Sequence, residues 1–257
     1  MAVYVENSGM GFLVKEGSLD QDRLLQWFKE STRIAAVQGA YYSKLFDSGL
    51  EILFRTVNQG DDLQIVGVDM HMSGRCIWQA KPLATVGLGE PLLVSLLMTN
   101  PDETCAFIAD IVHAATIEKI DEDTILSLQV CAFPQAMDVY DSRQAYEQAT
   151  PGPSLLEDRK LLPFNYIMAR DEKLEEKKRE GYEVQEKLML ACGPVLSVDK
   201  RSHGTEDTSC LVATISTEMG HLDLVFSPSQ LGKELKKGAY VVASCIISAD
   251  VMVKQSL

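Results

Sequence analysis

The sequence predicts an α+β fold: an N-terminal α/β body with an antiparallel meander, followed by a C-terminal module that reads as a small β-barrel or curled sheet. Three observations carry this reading. Apolar and polar residues alternate between Leu50 and Met72, helical spacing is confined to a few segments of the first two thirds, and short strand-like runs crowd the final stretch. Residues 1–150 are assigned to an N-terminal α+β domain, 151–187 to a linker with a charged helix, and 188–257 to a C-terminal β domain.

The first predicted element is a helix from Ser18 to Lys29. Ser18 stands at the cap, Gln21 at the capping-box position, and Leu24, Leu25 and Phe28 form one apolar face. A strand is expected within Ala35 to Phe46, ending at the Asp47-Ser48-Gly49 turn. Leu50 to Val57, Leu63 to Met72 and Arg75 to Ala80 then complete the meander. The apolar run Leu92 to Met98 is followed by Asn100 and Pro101, residue types suited to an N-cap and first helical position, so a helix is predicted over Asp102 to Ala115. Ile125 to Phe133 reads as a buried strand ending at Pro134.

Pro151, Gly152 and Pro153 mark an exposed connection, and Asp171 to Lys187 reads as a charge-rich connector helix. Strands are predicted at Leu188 to Val198, Cys210 to Thr217, His221 to Phe226, Ala239 to Ser248 and Asp250 to Lys254, with one helical turn starting at Ser227. Strand count alone would permit an oligonucleotide-binding barrel there.

Charge argues against that use. The chain carries a formal net charge of −13, and its basic cluster from Lys173 to Arg179 is interleaved with glutamates. Such a field repels phosphate backbones and anionic lipid surfaces. No apolar run approaches the roughly 20 residues of a membrane-spanning helix, and the N-terminus lacks the pattern of a secretory signal, so a cytoplasmic location is expected. The six cysteines show no C-x-x-C pair and mostly sit in apolar runs, where a thiol behaves as a small core residue. Gly87-Leu88-Gly89 reads as a turn, and neither a cofactor fingerprint nor a metal-ligand spacing is present.

The densest chemistry lies in Asp69-Met-His-Met-Ser-Gly-Arg-Cys-Ile-Trp78. A two-residue hairpin loop at Ser73 and Gly74 would pair His71 with Cys76 and Asp69 with Trp78. Val66, Val68, Met70 and Met72 would face the core, and Gly67, Asp69 and His71 the other side together with Glu51 and Arg55. Cys76, His71 and Asp69 are thus the candidate nucleophile, base and orienting carboxylate of a cysteine-dependent hydrolase or transferase. The same three as zinc ligands would need a fourth donor from elsewhere. Cross-strand packing on a sheet face is the ordinary alternative, and it favours a non-catalytic protein that binds another protein or a small ligand. His113, His203 and His221 carry no orienting context, although His221 and Asp223 share a strand face.

Overall fold

The computed structural model describes residues 14–15, 18–60, 62–86, 90–117, 124–150, 159–164, 166, 187–202, 209–231 and 234–256. In chain order the elements are β1 (Val14–Lys15), β2 (Ser18–Leu19), α1 (Gln21–Lys29), β3 (Thr32–Ala36), β4 (Gly39–Leu45), β5 (Leu50–Gln59), β6 (Asp62–Met72), β7 (Ile77–Val86), β8 (Val94–Thr99) and β9 (Ala106–Ile111). There follow β10 (Thr124–Tyr140), α2 (Arg143–Ala149), β11 (Leu161–Pro163), β12 (Met189–Arg201), β13 (Cys210–Thr217), β14 (Gly220–Phe226) and β15 (Tyr240–Ser256). The protein is therefore mostly β. Among the described residues no helix is long and apolar enough to cross a membrane.

Two long strands organise everything else. β10 and β15 pair antiparallel along their whole lengths, from Thr124↔Ser256 to Tyr140↔Tyr240. On one side of this ribbon β7, β8 and β9 link β10 back to β15, closing a ring. On the other side β14, β13 and β12 close a second ring through the same two strands. Strands from before residue 150 and after residue 187 thus belong to one nine-stranded sheet. Leu126, Leu128, Val130 and Ala132 of β10 and Val241, Ala243, Cys245, Ile247 and Ala249 of β15 point into one apolar core that also takes Trp78, Phe107, Ile215 and Leu224. Leu126 and Leu128 are wholly buried, a contribution of about 2 kcal/mol each.

Register shifts keep that core continuous. Between Pro134 and Ala136 the pairing slips by one residue at Gln135. The inward parity of β10 therefore changes from even numbers to odd, and Met137 and Val139 pack on the same core. Pro134 does not end the strand as predicted, because a bulge accommodates a residue that cannot donate to the ladder.

The meander β3-β4-β5-β6 forms a separate four-stranded sheet. Its apolar face, with Leu50, Ile52, Phe54, Val68, Met70 and Met72, packs with Leu24 and Trp27 of α1 on Cys131, Phe133, Val212 and Val225 of the larger sheet. Phe28 closes this layer edge-on to Phe54, at 5.4 Å between ring centroids. The cap of α1 is Asp20, whose carboxylate accepts from the Arg23 N–H at 3.1 Å, and not Ser18, which lies in β2. Val66 does not join the core row, since the β5–β6 pairing slips at that position between Gly67 and Ile65.

The helix predicted over Asp102 to Ala115 is instead a turn followed by β9. The Asn100 side chain accepts from the N–H groups of Thr104 and Cys105, both at 2.9 Å, and folds the chain back. Phe107, Ile108, Ala109 and Ile111 are then all buried, because both faces of β9 are covered. A short run apolar on both sides has no period that separates strand from helix. Similarly, the two strands predicted from Ala239 to Lys254 are one strand, and α2, capped by Ser142, has no counterpart in the prediction. The Gly87-Leu88-Gly89 turn, His203 and the predicted helix from Asp171, apart from its last residue Lys187, lie outside the described residues.

Candidate functional site

The hairpin at Ser73 and Gly74 does not form. β6 ends at Met72 in the meander and β7 begins at Ile77 in the larger sheet, where it pairs with β8 and β10. Residues 73–76 are a crossover between sheets, so His71 is not opposite Cys76 and Asp69 is not opposite Trp78. The reason lies in packing: the inward face of β7, with Trp78 1% exposed and Ala80 wholly buried, is needed by the core of the nine-stranded sheet.

Each member of the predicted trio has its own surroundings. Asp69 lies with Glu51, Arg55 and His71 on the second face of β5 and β6, as the alternation requires, and its carboxylate pairs with Arg55 Nε at 2.7 Å. His71 is held by the Ser248 hydroxyl at 2.9 Å from Nδ1 and by the Gln129 amide oxygen at Nε2, with the Cys131 sulfur 3.7 Å from Nδ1. Burial holds its pKa below the ordinary imidazole value. Cys76 lies against Asp223; burial first, and the neighbouring carboxylate second, push its thiol far above the usual range.

The polar face of the meander is therefore an interior. Arg55, 2% exposed, bridges Asp69 and Glu90 and donates to the Pro91 carbonyl. Lys187 reaches Glu90 at 3.4 Å and Asp110 at 3.6 Å. Burial raises Asp110 to about 6, against the opposing pull of Lys187 and the Ser95 hydroxyl. Next to this cluster His113, in the left-handed backbone region, bonds Glu51 at 3.1 Å. That bond outweighs burial and raises the imidazole pKa. For Glu51, burial opposes ionisation, but the bonds from His113 and Ser43 overcome it and lower the pKa. The cavity enclosed here, lined by Tyr41, Asp69, Asp110, His113 and Ser248 among others, measures about 30 Å³. A water molecule fits such a space, and an organic substrate does not.

A second concavity is larger and open. The crossover 73–76 forms one wall, and the outer face of β12, β13 and β14 forms the floor of a groove of about 490 Å³. Cross-strand pairing sets three polar side chains in a row across the floor: Ser197 faces Thr214, and Thr214 faces Asp223. The Ser197 hydroxyl donates to Thr214 at 3.2 Å, and the Thr214 hydroxyl donates to the Asp223 carboxylate at 2.6 Å. The slip in β12 between Val195 and Ser197 sends Val195 into the core while Leu196 and Ser197 line the groove. Farther along β12 come Asp199 and Arg201; Arg201 Nη1 donates to the carbonyls of Ser48 and Ser73 at 3.0 and 3.1 Å, clasping the meander turn and the crossover. Gly74 passes directly over Asp223, and a Cβ there would stand 2.4 Å from Oδ2.

Arg75, Arg201, Asp199 and Asp223 all line this groove, yet among the described residues none of them forms an ion pair. Elsewhere Arg55, Lys187 and Glu90 are paired throughout. Of the predicted trio the groove receives Cys76 alone. Arg75, Arg201 and Asp199 were not singled out from the sequence; the available signal was the polar alternation Ser197, Asp199, Arg201 along one strand face. No group of histidine, cysteine and carboxylate side chains among the described residues is placed to hold a metal ion. The chain matches no protein-family model, and comparison with curated proteins and with solved structures gives no match.

Proposed function

We propose that the protein is a non-catalytic cytoplasmic binding protein that takes a small polar ligand in the groove between residues 73–76 and the β12–β14 face. The observation that carries this reading is the set of four charged side chains, two of each sign, that line one concavity and form no ion pair among the described residues. Its volume of about 490 Å³ falls in the range of small-ligand sites, roughly 300 to 1,000 Å³. The strongly acidic chain makes a nucleic-acid partner a poor fit to the same groove.

The competing reading is a cysteine-dependent hydrolase or transferase. A nucleophilic thiol needs a base to lower the cost of its ionisation. Cys76 has instead a carboxylate beside it, and the His71 imidazole is bonded to Ser248 and Gln129. Two measurements separate the readings. Iodoacetamide labelling of the native protein at neutral pH, read by mass spectrometry, is expected to modify Cys76 no faster than the other five cysteines. A thermal-shift screen with a mixture of polar metabolites is expected to stabilise the wild type and not an Arg75→Glu variant. Fast, selective labelling of Cys76 overturns the binding reading in favour of catalysis, and a stabilisation untouched by Arg75→Glu removes the groove from it.

A further inference from the structure

Resting on the groove as the ligand site, we infer that its ligand is a zwitterion of the amino-acid type, its carboxylate taken by Arg75 and its ammonium group by Asp223. The acidic end of the argument is Asp223. It is 4% exposed, and both the Thr214 hydroxyl that hydrogen-bonds to it and the Cys76 thiol beside it are neutral. A carboxylate at the floor of a groove that forms no ion pair among the described residues can accept a cation from a ligand, and the partly excluded solvent screens that attraction weakly. The row from Ser197 through Thr214, lying along the same groove floor, orients the carboxylate from the side. Gly74 brings its bare backbone close against Oδ2, an approach that a side chain would not allow, and so fixes that oxygen beside the crossover.

The basic end is supplied from the crossover wall beside it. Arg75 is exposed and directly joins Gly74 to Cys76, the two residues that touch Asp223, so its guanidinium springs from the same few ångströms of chain. A guanidinium presents a planar fork that matches a carboxylate. Arg201, fixed through Nη1 to two carbonyls, adds a second positive charge without an ion-pair partner to this end.

Ligands of a single sign are disfavoured. A phosphate or other polyanion would approach the arginines past Asp199 and Asp223, inside a molecule of net charge −13. A simple amine would leave the arginines uncompensated, and an uncharged sugar would leave all four charges so. A zwitterion compensates both ends and feels little of the overall field.

The test uses the full chain and isothermal titration with pools of the proteinogenic L-amino acids, then single members of any binding pool. Matched amines lacking the carboxylate and matched acids lacking the amine serve as half-ligands. At least one amino acid is expected to bind, with each half-ligand and the Arg75→Ala variant weaker by about tenfold or more, and Arg75→Lys intermediate because it keeps charge and loses the fork. Asp223→Asn is expected to abolish binding; since that site is buried, the exposed Arg75 variants keep the test decisive if it fails to fold. Half-ligands that bind as well as the zwitterion, or Arg75→Ala binding unchanged, overturn the inference. So does silence from every pool. If the metabolite screen still yields an Arg75-dependent ligand, only the ligand class falls; if it does not, the groove reading falls with it.

Discussion

The His71 imidazole of β6 is joined to the Gln129 amide of β10, side chain to side chain, across the seam between the two sheets. Because Gln129 turns its NH₂ group to the carbonyls of Met72 and Val130, at 3.2 and 3.3 Å, its oxygen faces the ring, and Nε2 carries the proton. Nδ1 then accepts from Ser248. The ring is neutral and both nitrogens are satisfied. A residue that reads as a candidate base in the sequence therefore serves as a polar bolt between the meander and the nine-stranded sheet.

Replacing the bolt's amide tests this role. Gln129→Leu keeps the volume but leaves the His71 N–H and the Met72 carbonyl without their partner, and is expected to destabilise the fold by about 2 to 4 kcal/mol, read from urea unfolding. A cost below about 0.5 kcal/mol would mean the network is dispensable.

The His113–Glu51 bond predicts a defined pH window. His113 has a raised pKa in the fold, so its contribution is full below the ordinary imidazole value and fades as pH rises through the raised one. Glu51 is lowered, so its share is lost only when pH falls through its depressed value. Asn tolerates the left-handed backbone at this position. The stability gap between wild type and His113→Asn should therefore be larger near about pH 5.5 than near about pH 8.5. An equal gap at both values would contradict the charged bond.

Asp110 shifts stability in the same direction as His113, over a lower pH window. Its pKa, raised by burial to about 6, means that folding takes up a proton between the ordinary carboxylate value and that point. Relative to Asp110→Asn, the wild type should lose up to about 3 kcal/mol as pH rises from about 4 to about 6. Parallel unfolding curves for the two proteins across this window would show that Asp110 titrates normally.

Two glycines should differ in their tolerance of alanine. At Gly74 the added methyl meets the Asp223 carboxylate, whereas at Gly193 it would lie 2.3 Å from the backbone oxygen of Ser216 on the adjoining strand β13. Gly74→Ala is expected to cost about 1 to 3 kcal/mol, and Gly193→Ala more, because a sheet backbone yields less readily than a side chain. Chemical denaturation of both variants decides the order.

Where one periodicity dominated, the sequence was legible. Cys210 to Thr217 matches β13 at both ends, His221 to Phe226 lies within β14, and the shared face of Glu51, Arg55, Asp69 and His71 follows from alternation alone. What alternation cannot express is which sheet a strand joins. Ser73-Gly74 has the composition of a hairpin turn, but Trp78 and Ala80 are drawn into a core built largely from later strands. The groove was illegible for the same reason. Its wall and floor meet only after β7 and β14 have both taken their places, and nothing local to Cys76 announces Asp223.

The ribbon of β10 and β15 has a consequence for the newly made chain. Both rings are closed by residues 240–256, which follow every other described strand along the chain, so a chain lacking them exposes the free edges of β9, β10 and β12 together. Neither ring can be sealed before β15 is made. Ring closure therefore waits on long-range pairing by β15, and until then the open sheet edges of the earlier strands need shielding.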